Sequence, residues 1–156
     1  MIQIVNDSIT TVTNGYIICP CDCVSLTPPE NSATEQIVGR FGRVNNPFTL
    51  RKRRRNNDRF CSDETRSTPG TVFILGEEKG PDVIYLFNQY FPNDWNLTSF
   101  RMCLDALIDY FEFFTEPVEI HVPVELSHQE EYEQLFTEFE RELSAHGVQL
   151  ELYLYY

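Results

Sequence analysis

The stretch Val83-Ile-Tyr-Leu-Phe87, followed by Thr98 to Phe114, Val118-Glu-Ile-His-Val122, Ser127 to His146 and Val148 to Tyr155, reads as strand, helix, strand, helix and strand. After Thr98 the apolar residues Phe100, Cys103, Leu104, Leu107, Ile108, Phe111 and Phe114 recur at intervals of three and four, which gathers them into one helical stripe. Pro117 ends that helix. Ser127-His-Gln-Glu130 has the form of a capping box, in which hydroxyl and carboxylate satisfy each other's orphan amides. Tyr132, Leu135, Phe136, Phe139 and Leu143 make the buried face of the helix it opens. Gly147 stops it, and Val148, Leu150, Leu152 and Leu154 alternate along the last strand. Such alternation gives an α/β fold with a mixed, largely parallel sheet and helices on its faces. Ligands bind these sheets at the carboxyl ends of the strands, so a site is expected in the loops after residues 6, 19, 88 and 123.

The N-terminal half fits the same sheet. Ile2 and Ile4 suit a short first strand, and Gly15-Tyr-Ile-Ile-Cys19 a second. Ser32 caps a helix from Ala33 to Phe41 that Gly42 ends, while Thr71-Val-Phe-Ile-Leu75 and Val83 to Phe87 form a hairpin. Between them, residues 43 to 69 thin to a few apolar side chains (Val44, Phe48, Leu50, Phe60 and Cys61), too few to offset the entropy of ordering. They read as a basic, mobile insertion in a single domain spanning 1 to 156, the size of chain that buries one core.

The net charge is −12, yet nine of the 12 Lys and Arg lie between Arg40 and Arg66 against three acids, which leaves that segment near +6 and the rest near −18. So acidic a body repels nucleic acid, and contact with a polyanion is expected only through the 43 to 69 segment. No apolar run reaches the roughly 18 residues of a membrane helix, and the first residues lack a secretory signal, so a soluble, intracellular protein with reduced thiols is expected.

Val83-Ile-Tyr-Leu-Phe-Asn-Gln89, the helix through Leu104-Asp-Ala-Leu107, Val118-Glu-Ile-His-Val-Pro123 and the strand ending Leu152-Tyr-Leu-Tyr155 resemble the carboxyl-terminal half of a macrodomain, with a likeness to the terminal ADP-ribose protein glycohydrolase branch. Ile4-Val-Asn-Asp-Ser-Ile9, Gly15-Tyr-Ile-Ile-Cys-Pro-Cys21 and Ala33 to Gly42 resemble that family's first two strands and the helix after its first ligand loop. The resemblance implies a three-layer α/β/α sandwich and, for the family, recognition of ADP-ribose. It also implies that Asp7 accepts a hydrogen bond from the adenine amino group. Two departures stand out. Leu26-Thr-Pro-Pro-Glu-Asn-Ser32 has no Gly and two Pro where the family's loop is Gly-rich, and Val124-Glu-Leu-Ser-His128 offers neither the Gly nor the catalytic Asp of the second loop.

Asp7, Asn88, Gln89 and Glu125 are the residues from which a rearranged pocket would be built, with His121 or His128 beside Glu125 as an acid–base pair against the simpler reading of structural or solvated side chains. Cys19-Pro-Cys-Asp-Cys23 aligns three thiols on one side of a strand, but its spacing does not match zinc sites, and no metal or cofactor is expected. Asp105 and Asp109 read as a solvated helix edge. Arg51-Lys-Arg-Arg-Arg55 reads as extended and exposed, open to a nuclear import receptor, RNA or an acidic protein, or else a solvated counterweight to the acidic body.

The leading functional reading is a diverged, non-catalytic accessory protein, of viral or phage type, acting as a binding or assembly module with a protein partner or a second copy. Tyr90, Phe91, Trp95, Tyr153, Tyr155 and Tyr156 would be its interface anchors. The alternative is an ADP-ribose binder or ADP-ribosyl hydrolase, and a third is a nucleic-acid-associated protein.

Overall fold

The computed structural model describes residues 1–42, 45–57, 67–76 and 79–156, with the backbone alone at 54–57. Six strands, β1 (Ile2–Val5), β2 (Tyr16–Asp22), β3 (Val72–Leu75), β4 (Asp82–Gln89), β5 (Val118–Pro123) and β6 (Leu150–Tyr155), form one sheet in the order β1-β6-β5-β2-β4-β3. All neighbours are parallel except β3, which pairs antiparallel with β4 from Val72 opposite Leu86 to Leu75 opposite Val83. The hairpin and the mixed sheet thus form as the sequence predicts.

Alternation along the strands divides the core. Ile18, Ile84, Leu86, Ile120 and Leu152 point to one face, where α3 (Leu97–Phe111) and α4 (Gln129–Ala145) bury Phe100, Leu107, Phe136 and Leu143 against them. Ile17, Cys19, Val83 and Tyr85 point to the other, under α1 (Ala33–Phe41) and α2 (Pro47–Asn57), which contribute Ile37, Phe41 and Phe48. The result is the expected α/β/α sandwich. No helix among the described residues is long and apolar enough to cross a membrane.

Local signals set several boundaries. Ser32 Oγ accepts the Glu35 amide at 3.0 Å and opens α1 at Ala33. Gly42 closes α1 because its amide donates to Val38 O at 2.8 Å, so close that a Cβ there would lie 2.1 Å from that oxygen. Two expectations are corrected. The capping box at Ser127 does not form: Leu126–His128 make a short 3-10 turn, α4 starts at Gln129, and its cap residue His128 makes no side-chain capping bond. Residues 47–57 of the expected insertion are helical, because Phe48 and Arg51 bury against the sheet and supply the contacts that composition did not suggest. The stretches 43–44 and 58–66, with Val44, Phe60 and Cys61, and the side chains of Arg54 and Arg55 lie outside the described residues.

Candidate functional site

Strand β2 pairs with β5 only at Tyr16 and Ile17, whereas it follows β4 as far as Asp22. Pro20 has no amide with which to extend the β5 ladder, and its carbonyl accepts Thr34 Oγ1 of α1 at 2.6 Å. The ends of β2 and β5 therefore separate, and between them lies a cleft of about 580 Å³. Its walls are the β2–α1 loop, the β4–α3 segment through Gln89, Asn93 and Trp95, and the β5–α4 loop from Pro123 to His128. This is the carboxyl edge of the sheet, where the loops after residues 19, 88 and 123 meet.

The starts of two helices border the cleft: Ser32, Ala33 and Thr34 of α1, and Ser127 and His128 before α4. Free amides and the helix dipole make such ends favourable for anions. Between them Asp22 sits 1 % exposed. Its Oδ1 accepts the amides of Val24 and Ser25 at 2.8 and 2.6 Å, while its Oδ2 is buried without a hydrogen-bond partner among the described residues. A buried acceptor with no partner among the described residues calls for one, and a donor entering the cleft that Asp22 lines would supply it. On the opposite wall the His128 ring stacks on Trp95 with centroids 4.2 Å apart and planes within 11°, and Trp95 packs in turn on Phe100 and Tyr132. Glu125 lines the same wall. Burial raises its carboxyl above the usual range, against the lowering pull of His128 and the Tyr132 hydroxyl.

The residues singled out from sequence divide. Gln89 and Glu125 line the cleft. Asn88 is fully buried on the α3–α4 side, where its backbone carbonyl accepts the Asn96 backbone amide at 3.3 Å and holds the segment that carries Trp95. Asp7 is exposed beyond β1 and is not among the cleft residues. His121 and Glu125 are not brought together. His121 faces the second layer, with Nδ1 2.7 Å from the Tyr155 hydroxyl and the ring stacked on Tyr153, and burial lowers its pKa to about 4. It is neutral at ordinary pH, so Glu119 at 3.4 Å is a polar neighbour and no ion-pair partner. Asp105 and Asp109 are exposed on α3.

Cys19, Cys21, Cys23 and Cys103 are free and buried, with the Cys19 and Cys21 sulfurs 3.9 Å apart. Burial holds Cys21 well above the ordinary thiol range, Cys23 at about 11 and Cys103 at about 12, so these three are protonated thiols rather than nucleophiles. Among the described residues no group of three or more His, Cys, Asp or Glu is placed to hold a metal.

The basic run is corrected most. Arg51 is 4 % exposed, its guanidinium held between the rings of Phe48 and Phe87 and bonded to the backbone of the β2–α1 loop, while Lys52 and Arg53 alone of the described run face water. One turn of helix puts neighbouring residues on different faces, so the run splits instead of extending. Trp95 is half-buried, lines the cleft and packs against the core. Sequence reading missed Asp22 and Thr34. The available signal was a carboxylate at the end of a strand buried on both faces, which needs a reason to be there.

No family model matches the chain, and no curated protein does. Solved structures do match in fold. The macrodomain of Mycobacterium tuberculosis DarG aligns over 98 % of this chain and 97 % of its own at 15 % identity and a TM-score of 0.70. A macrodomain protein from Streptomyces coelicolor covers 98 % of both chains at 16 % identity and a TM-score of 0.64. Thermosipho africanus DarTG, solved in complex with ADP-ribose, aligns over 98 % of this chain and 41 % of its own at 10 % identity and a TM-score of 0.65. The chain has the macrodomain fold.

Proposed function

We propose that this chain binds ADP-ribose in the cleft between the ends of β2 and β5 and acts as a recognition module. The observation that carries the reading is the cleft itself: about 580 Å³, within the roughly 300–1,000 Å³ of small-molecule sites, bordered by two helix starts and lined by Asp22, whose Oδ2 has no hydrogen-bond partner among the described residues. The helix starts suit the diphosphate, and Asp22 Oδ2 suits a ribose hydroxyl. The ADP-ribose bound in the structurally similar Thermosipho africanus protein supports the choice of ligand. Recognition without turnover is favoured because the second loop, Val124 to His128, has no Asp at the place where the resemblance implies a catalytic one, and no Lys or Arg lines the cleft among the described residues.

Calorimetric titration with ADP-ribose at near-physiological salt tests this. Saturable heat is expected, lost in Asp22→Ala and kept in Asp7→Ala, since Asp7 stands outside the cleft; no heat at high protein concentration would refute it. A second reading, hydrolysis of an ADP-ribosyl bond, is favoured by Glu125 alone, a half-buried carboxyl with a raised pKa on the cleft wall. Release of ADP-ribose from a modified substrate by the wild type and not by Glu125→Gln would establish it.

A further inference from the structure

We infer that Arg51 is a positioning residue for the cleft, fixing from the far side the loop that presents Asp22. Arg51 lies one turn into α2 and is 4 % exposed. Its Nη1 donates to Ser25 O at 2.9 Å, and its Nη2 to Asp22 O at 2.8 Å and Ser67 Oγ at 3.0 Å. Nη1 also stands 3.9 Å from Asp22 Oδ1, the atom that accepts the Val24 and Ser25 amides. The Ser67 amide closes the other side of the loop by donating to Cys23 O at 3.2 Å.

A buried cation is retained only where it is bonded, and a planar guanidinium can hold two carbonyls at a fixed separation that a lysine ammonium does not reproduce. The rings of Phe48 and Phe87, 5.5 and 5.7 Å from Cζ, keep the fork in place. The path of residues 22 to 25, and with it the direction of the Asp22 carboxylate, is therefore set by a side chain that does not line the cleft. The Arg51 fork adds from outside to the order that Asp22 Oδ1 gives the loop through the Val24 and Ser25 amides.

The test has two arms on the full chain. Hydrogen exchange without ligand is compared for wild type, Arg51→Lys and Ser67→Ala. Val24 and Ser25 should exchange about tenfold faster in Arg51→Lys and about two- to fivefold faster in Ser67→Ala, with protection in β5 and β6 unchanged. Unchanged exchange at Val24 and Ser25, or an equal loss of protection across the sheet, overturns the inference. If Arg51→Lys does not fold, the Ser67→Ala exchange decides. The second arm rests on the functional reading above: ADP-ribose affinity should fall about tenfold or more in Arg51→Lys, in proportion to loop exchange. Equal affinity in wild type and Arg51→Lys also overturns the positioning role. A wild type that binds no ADP-ribose refutes the functional reading, and the exchange arm then judges Arg51 by itself.

Discussion

Replacing His121 by Gln separates a structural imidazole from a catalytic one. In the folded chain burial lowers its pKa to about 4, whereas in the unfolded chain it titrates near the ordinary 6.5. Between those values the unfolded state binds more protons, so stability is whole above pH 6.5 and is lost as pH falls toward 4. The gap sets a ceiling of about 3 kcal/mol, at about 1.4 kcal/mol per pKa unit. Only part of it is reached by pH 4.8, which still lies above the folded pKa, so the expected loss there is about 1–2 kcal/mol. Glu119, Tyr153 and Tyr155 face the ring. Glu119 works the other way, since burial raises its carboxyl and makes acid favour the folded state. The difference between wild type and variant removes that background. Urea unfolding followed by Trp95 fluorescence at pH 7.5 and 4.8 should show the wild type losing about 1–2 kcal/mol more than His121→Gln. Equal losses in the two proteins would refute the burial argument.

Three further outcomes follow from single contacts. Thr34→Val removes the 2.6 Å bond to Pro20 O and leaves a buried carbonyl unbonded, which should lower unfolding free energy by about 1–3 kcal/mol in urea. Ser32→Ala removes the cap that accepts the Glu35 amide and should cost about 0.5–2 kcal/mol, read as a lower Tm. Trp95→Ala strips the ring from between His128 and Phe100 and should cost about 2–3 kcal/mol by circular-dichroism melts, with no change in sedimentation, because that ring is half-buried against the core and lines the cleft.

The helix Ala33–Phe41, the hairpin of β3 and β4, the stripe of α3 and the alternation in β6 are legible in the sequence because each is written in residues a few positions apart: a cap, a turn, a period of 3.6 or 2. The carboxyl ends of the strands as the place for a site follow from the same alternation. Local pattern also explains the misses. Ser127 and Glu130 have capping-box spacing, yet the 3-10 turn that lays His128 on Trp95 moves the helix start to Gln129.

What only the tertiary structure decided lies in contacts between distant positions. Arg51 looked like one cation among five, and its place was set by Asp22, 29 residues earlier, and Ser25, 26 earlier. Asp22 became a cleft residue because β2 parts from β5 after Ile17, a fact of pairing between strands about a hundred positions apart. His121 lost its candidacy to Tyr155, 34 residues away. Periodicity along the chain determines which face of an element is buried, but strand order and loop approach determine which polar groups end up beside one another, and a binding site is made of those.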